Sequence, residues 1–303
     1  MQTKTIVDKI AELKKTRGAV ILAHNYQLPE VQDIADYGGD SLELSRIAAK
    51  LEAKVIVFCG VLFMAETASI LSPGKTILLP DLHAGCPMAD MINAEQLKDL
   101  KRKHPGAIVV AYVNSSAEVK AETDYCCTSA NAVKVVDYLK DKGEIIFVPD
   151  KHLGQYAAKK TGKKMIIWDG FCPTHVRMSA EDVKRERKLH PEAKVIVHPE
   201  CRTEVVELSD GAFSTSGMLK YVKESPANEF ILGTEMGIIH RLQKENPMKK
   251  FYLVSELAVC PNMKEITLEK VLWCLEEMKH EVKVPQAIAE KAKKAVDRML
   301  EIG

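Results

Sequence analysis

A chain of 303 residues with 46% hydrophobic content can bury a large core and exceeds the usual size of one domain, so two or three units are expected. Its 43 Lys and Arg nearly balance 42 Asp and Glu, leaving a formal charge of +1 with no basic stripe or acidic tail, so neither nucleic acid nor an anionic membrane is implied as a partner. No apolar run approaches the ~18 residues of a membrane-spanning helix and no signal-peptide core opens the chain, which reads as cytosolic.

The first predicted element is a charged amphipathic helix over residues 1–17. Three segments that can be written over one another follow, starting at Gly18, Gly106 and Glu192. Each opens on a strand-like run (Val20–Ala23, Ile108–Ala111, Lys194–Val197) and continues through a polar cluster and a short amphipathic stretch. A hydroxyl-rich turn (Asp40-Ser41, Thr128-Ser129, Ser214-Thr215) then opens a helical pattern. The second halves correspond too. Buried-looking strands at Val55–Phe58, Ile145–Val148 and Phe230–Leu232 lead into helices, then into strands at Thr76–Leu79, Lys164–Trp168 and Phe251–Val254. Similar helices, LKRKHPGA and KRERKLHPEA, enter the second and third units. The tail from Thr267 reads as a capped helix, a short extended HEVKV and a final helix from Pro285.

Continuous apolar runs alternating with helices predict small parallel sheets covered on both faces. The expected fold is therefore α/β: three homologous three-layer α/β/α domains in pseudo-threefold arrangement around a central active site. The boundaries fall at 1–86, 87–172 and 173–260, with 261–303 a helical extension packing on the first repeat. Tyr37-Gly38-Gly39 is a candidate hinge, with a tight turn as the plainer alternative.

Each unit ends in a cysteine: Cys86, Cys172 and Cys260, at intervals of 86 and 88 residues, every one followed by proline. A cytosolic chain of this size keeps its thiols reduced, and no CxxC pair supports a zinc ribbon. Cys59, Cys126, Cys127 and Cys274 read as buried apolar residues. For the trio, three thiolates meeting at one point suit a [4Fe–4S] cluster with one open iron. Zinc with three protein ligands and a water competes, and all-sulfur ligation favours iron–sulfur.

Ligands of parallel sheets bind beyond the carboxyl ends of the strands. The three first strands end in His24-Asn25-Tyr26, Tyr112-Val113-Asn114 and His198-Pro199-Glu200. These are acid/base and hydrogen-bonding groups in three equivalent places. Ser41, Ser129, Ser214 and Thr215 precede or open helices, where free N–H groups favour anions; for any one of them plain N-capping explains as much. An open iron acting as Lewis acid beside Tyr, His and Glu proton carriers suggests elimination and condensation on small anions.

The strings ILAHNYQLPEVQDIADYGGDS, YVNSSAEVKAETDYCCTSANAV, VIVHPEC, STSGM and LGTEMGIIHRL, with the three cysteines, closely resemble the quinolinate synthase family over essentially the whole chain. The resemblance implies one central [4Fe–4S] cluster held by Cys86, Cys172 and Cys260, with one iron open. It implies condensation of iminoaspartate with dihydroxyacetone phosphate to quinolinate, with loss of phosphate and two waters, in NAD biosynthesis. It also implies functional coupling to an iminoaspartate-producing aspartate oxidase or dehydrogenase. Carried over by position, His24, Ser41, Tyr112, Asn114, Ser129, His198, Ser214 and Thr215 would hold carboxylates and phosphate. Tyr26 and Glu200 would move protons, His175 would lie near the open iron, and Cys201 would not be a ligand. A rival is the diphthamide-synthesis type of enzyme, which also gathers three cysteines on a cluster but cleaves S-adenosylmethionine. The proton carriers and anion-binding turns fit a small phosphorylated substrate better.

Overall fold

The computed structural model describes residues 3–302; Met1 and Gln2, the start of the predicted N-terminal helix, and Gly303 lie outside the described residues. The chain forms three successive units. The first comprises α1 (Thr3–Arg17), β1 (Ala19–His24), α2 (Pro29–Ile34), β2 (Tyr37–Gly39), α3 (Ser41–Lys50), β3 (Val55–Cys59), α4 (Leu62–Leu71) and β4 (Thr76–Leu78). The second runs α5 (Ala94–Lys103), β5 (Ile108–Tyr112), α6 (Ala117–Ala121), β6 (Tyr125–Cys127), α7 (Ala132–Leu139), β7 (Ile145–Val148), α8 (Lys151–Thr161) and β8 (Ile166–Ile167). The third runs α9 (Ala180–Leu189), β9 (Lys194–Val197), α10 (Thr203–Glu207), β10 (Gly211–Ala212), α11 (Thr215–Glu224), β11 (Glu229–Gly233), α12 (Ile238–Glu245) and β12 (Lys250–Leu253). Helices α13 (Leu268–Glu277) and α14 (Gln286–Ile302) follow.

Each unit holds one four-stranded parallel sheet, and the three orders are the same: β2-β1-β3-β4, β6-β5-β7-β8 and β10-β9-β11-β12. Helices cover both faces, which is why the central strands are apolar throughout. All residues of β3 (VIVFC) and β7 (IIFV) are buried. One apolar cluster continues through residues of all three sheets, so the units share a core instead of standing apart. The entering helices α5 and α9 both start on capping boxes, Asn93 with Gln96 and Ser179 with Asp182.

The sequence pattern missed the outer strands β2, β6 and β10, which lie inside the stretches read as polar and amphipathic connections. Tyr37-Gly38-Gly39 is not a tight turn; it is β2, in parallel register with Leu22–His24. A repeated aspartate docks each edge. The Asp36 carboxylate accepts the Ile21 N–H, Asp124 that of Val109 and Asp210 that of Val195, each at 2.8 Å. Their own N–H groups return to the carbonyls of the same three residues. Identical clamps at equivalent positions bind each edge strand to its neighbour.

The tail forms the predicted helix, extended piece and helix. Thr267 caps α13, which packs on α1 and β3. The extended piece pairs antiparallel with β4 through Glu281 and Leu78. Helix α14 lies against α6 and β6 of the second unit and α4 of the first.

Candidate active site

The first strands β1, β5 and β9 deliver their C-terminal residues to one cavity of about 290 Å³. His24, Tyr26, Tyr112, Asn114, His198 and Glu200 line it, together with Ser41, Ser129, Thr215, His175 and the three cysteines. Ser214 does not. Its hydroxyl donates to Asp40 Oδ2 at 2.9 Å and accepts the Gly217 N–H as the cap of α11. The hydroxyl turn is therefore split between a capping residue and a cavity residue.

A continuous polar network crosses the cavity. Glu200 Oε1 accepts the Tyr112 hydroxyl at 2.5 Å, and Glu200 Oε2 lies 2.7 Å from His175 Nδ1. His175 Nε2 meets the Thr234 hydroxyl at 3.0 Å, and Thr234 shares a 2.5 Å hydrogen bond with the Tyr26 hydroxyl. The network thus links all three units. Two peptide N–H groups fix histidine tautomers. Tyr26 N–H donates to His24 Nδ1, and Glu200 N–H to His198 Nδ1. The proton of each neutral ring then sits on Nε2, and that of His198 points at Ser129 Oγ, 3.0 Å away.

Burial dominates the electrostatics. It pushes His24 down to about 4 and His198 to about 3, so both rings are neutral near pH 7. Burial alone would raise the Glu200 carboxyl. The His198 and His175 rings and the hydrogen bonds from His175 and Tyr112 outweigh it, holding Glu200 well below the usual carboxylate range. Tyr26 and Tyr112 are raised well above their ordinary value by burial and then by the Glu200 charge. The cavity therefore pairs one ionised carboxylate with two phenols that keep their protons.

Each cysteine sits at the start of a Cys–Pro segment that leads into a single 3-10 turn: Ala89–Met91, His175–Arg177 and Asn262–Glu265. Proline costs nothing at the first position of such a turn, because its N–H would have no partner. Burial pushes the Cys86 thiol up to about 12 and the Cys172 thiol well above its ordinary value. Among the described residues, the group of candidate metal ligands lying within 4.8 Å of one another is Cys172, His175 and Glu200. Cys201, by contrast, is buried with its thiol donating to the Gly233 carbonyl.

The family model described as quinolinate synthetase A protein matches residues 8–301. The chain belongs to that family. It is similar to quinolinate synthase 1 of Methanosarcina acetivorans, 57% identical over 302 residues that cover 100% of this chain and 99% of the relative. Quinolinate synthases of Dehalococcoides mccartyi strain CBDB1 and Geobacter metallireducens are each 58% identical over 302 residues, covering 100% of this chain and 100% and 99% of those relatives. The family strings singled out in the sequence thus extend into near-complete coverage.

Several residues in and around the cavity of this quinolinate synthetase A family chain escaped sequence reasoning. Glu235 is fully buried, accepts the Cys260 N–H at 3.1 Å and pairs with Lys264 at 3.0 Å. Thr234 joins Tyr26 to His175, and Arg177 brings a cation to the cysteine side. Thr234 and Glu235 follow β11 directly, and Asp150, also fully buried, lies two residues beyond β7. Extending the strand-end rule from the first strand of each unit to the second would have found them. Asn25 holds Thr215 in place, donating to its Oγ1 at 2.8 Å while accepting from Arg241.

Proposed function

We propose that this chain is an enzyme of NAD biosynthesis that condenses iminoaspartate with dihydroxyacetone phosphate to quinolinate, releasing one phosphate and two waters. One observation carries the reading: three strand-end cysteines and three strand-end acid/base clusters open onto the same small cavity. Membership of the family over almost the full chain supports it.

The cysteines suit a group larger than one ion. Zinc–sulfur bonds of about 2.3 Å would bring three thiolates to within roughly 3.8 Å of each other. Cys86, Cys172 and Cys260 do not form such a tight group. Each sulfur instead stands ahead of its own turn, which fits separate corners of a [4Fe–4S] cluster. Bound there, such a cluster supplies a Lewis acid at the iron that lacks a cysteine.

The chain's own groups do the remaining work. Ser41 and Thr215, the first residues of α3 and α11, and Ser129, just ahead of α7, offer hydroxyls and helix-end N–H groups to phosphate and carboxylate oxygens. Asn114 lines the cavity with its Oδ1 buried and without a partner, free to take up a substrate N–H or O–H. Ionised Glu200 abstracts a proton from substrate, with Tyr112 steadying the carboxylate. Tyr26, through Thr234 and His175, returns a proton to a departing hydroxyl. Loss of phosphate precedes carbon–carbon bond formation, and ring closure by nitrogen with loss of water completes the pyridine. No oxidant is needed, since the atoms of the two substrates equal those of quinolinate, phosphate and two waters.

The test is anaerobic purification with iron and sulfide analysis, followed by a quinolinate assay. About four irons and four sulfides per chain are expected, with quinolinate formed from the two substrates. Iron-free protein that is fully active, or iron-replete protein that forms no quinolinate, refutes the reading.

A further inference from the structure

Beside the cavity lies a second concavity of about 710 Å³, between α3, α7, α8 and α11. It shares Asp40 and Ser129 with the cavity, so the two adjoin at the helix N-termini. On this side Ser41 and Ser129 are partly exposed, whereas His24, Tyr112, His198 and Glu200 are buried.

The concavity carries a repeated charge. Five residues after Ser41 stands Arg46, five after Ser129 stands Lys134, and five after Thr215 stands Lys220. All three line it, and Lys160 of α8 adds a fourth cation. Among the described residues, none of the four has a carboxylate within 4.0 Å, whereas Lys98, Lys140, Lys184 and Lys250 elsewhere on the surface each pair with one. Arg46 makes one long contact, 3.5 Å to the Leu300 carbonyl, and Lys160 lies over the Tyr156 ring. The two acids of the concavity are already engaged. Asp40 accepts from Ser214 and from the Leu42 and Glu43 N–H groups, and Glu43 accepts from Ser216 at 2.7 Å.

We propose that this concavity is the entry portal of the cavity, and that Arg46, Lys134, Lys160 and Lys220 steer an anionic, phosphorylated substrate into it. The proposal rests on the functional reading above for the identity of the anion. A concave wall with an excess of one charge sign, here four cations against two acids, concentrates field lines, raises the encounter rate with opposite charges and is screened by salt. Repetition at one position in all three units separates this ring from scattered surface lysines. Three exposed lysines allow a test without disturbing the core.

The test compares holoenzyme with a triple variant, Lys134→Gln, Lys160→Gln and Lys220→Gln, and with the matching triple Lys→Arg variant. Two readouts are taken from low to high salt: kcat/KM for dihydroxyacetone phosphate, and its phosphorus-31 line broadening, which needs no turnover. The Gln variant is expected to lose about five- to tenfold in kcat/KM at low salt, with the gap closing at high salt. The Arg variant is expected to keep the wild-type salt dependence. If wild type binds and turns over the compound and the Gln variant matches it at every salt concentration, the portal is overturned. If wild type neither broadens the signal nor forms quinolinate, the functional reading falls, and the portal's ligand with it.

Discussion

Glu200 is the residue on which the cavity's charge turns. Its carboxylate is buried between Tyr112, His175 and His198, and each of these partners is itself buried. Glu200→Gln keeps the shape but removes the base. Quinolinate formation should drop by at least about a hundredfold, while iron and sulfide per chain stay at wild-type values. His24 and His198 make a second prediction. Both are neutral in the fold and titrate normally when unfolded, so between about pH 4 and 6.5 the unfolded chain binds more protons. Stability should therefore fall as pH drops from 6.5 towards 4. Glu200 is of the opposite type and contributes fully above pH 4.5. Melting temperatures recorded from pH 7.5 to 5 should decline, and a His24→Gln/His198→Gln variant should show a flatter profile.

At the scale of elements, the cysteine turns are held by backbone packing. Gly170, two residues before Cys172, bridges Asp150, and its carbonyl accepts the Lys151 N–H at 2.8 Å. A Cβ there would run into the Pro149 carbonyl, which is backbone and cannot swing aside. Gly170→Ala should cost about 1–3 kcal/mol and displace the Cys172 turn. Thermal unfolding and iron retention would record both effects; unchanged values in both would show that the turn tolerates the shift. This scale also marks where the sequence is readable. The inner strands show as apolar runs because each is buried on both faces. The edge strands β2, β6 and β10 are two or three residues long and paired on one side, and β2 and β10 include Gly38, Gly39 and Gly211, so none makes an apolar run long enough to announce it. The first-strand ends His24, Tyr112 and His198 were legible because three repeats place polar groups at one position. Thr234 and Glu235 lacked that signal, because their counterparts Gly60 and Val61 in the first unit are apolar.

Over the whole molecule, α14 bridges the first two units through buried Ala292, Ala295, Val296 and Met299. The Asn131 side chain donates to the Met299 carbonyl at 3.0 Å, fastening the helix beside the turn that carries Ser129. Met299→Ala should cost about 2–5 kcal/mol in global unfolding, since the cavity left between packed units cannot collapse freely. Denaturant titration would measure it, and a loss well below that range would mean that α14 is dispensable to the shared core.

The Tyr26–Thr234–His175–Glu200–Tyr112 chain draws its members from all three units. Ownership of the chemistry is thereby divided: no fragment bearing a single sheet inherits a working part of it. A gene cut between units should yield pieces that are inert alone and regain function only when mixed, with each piece acting as an obligate partner of the others.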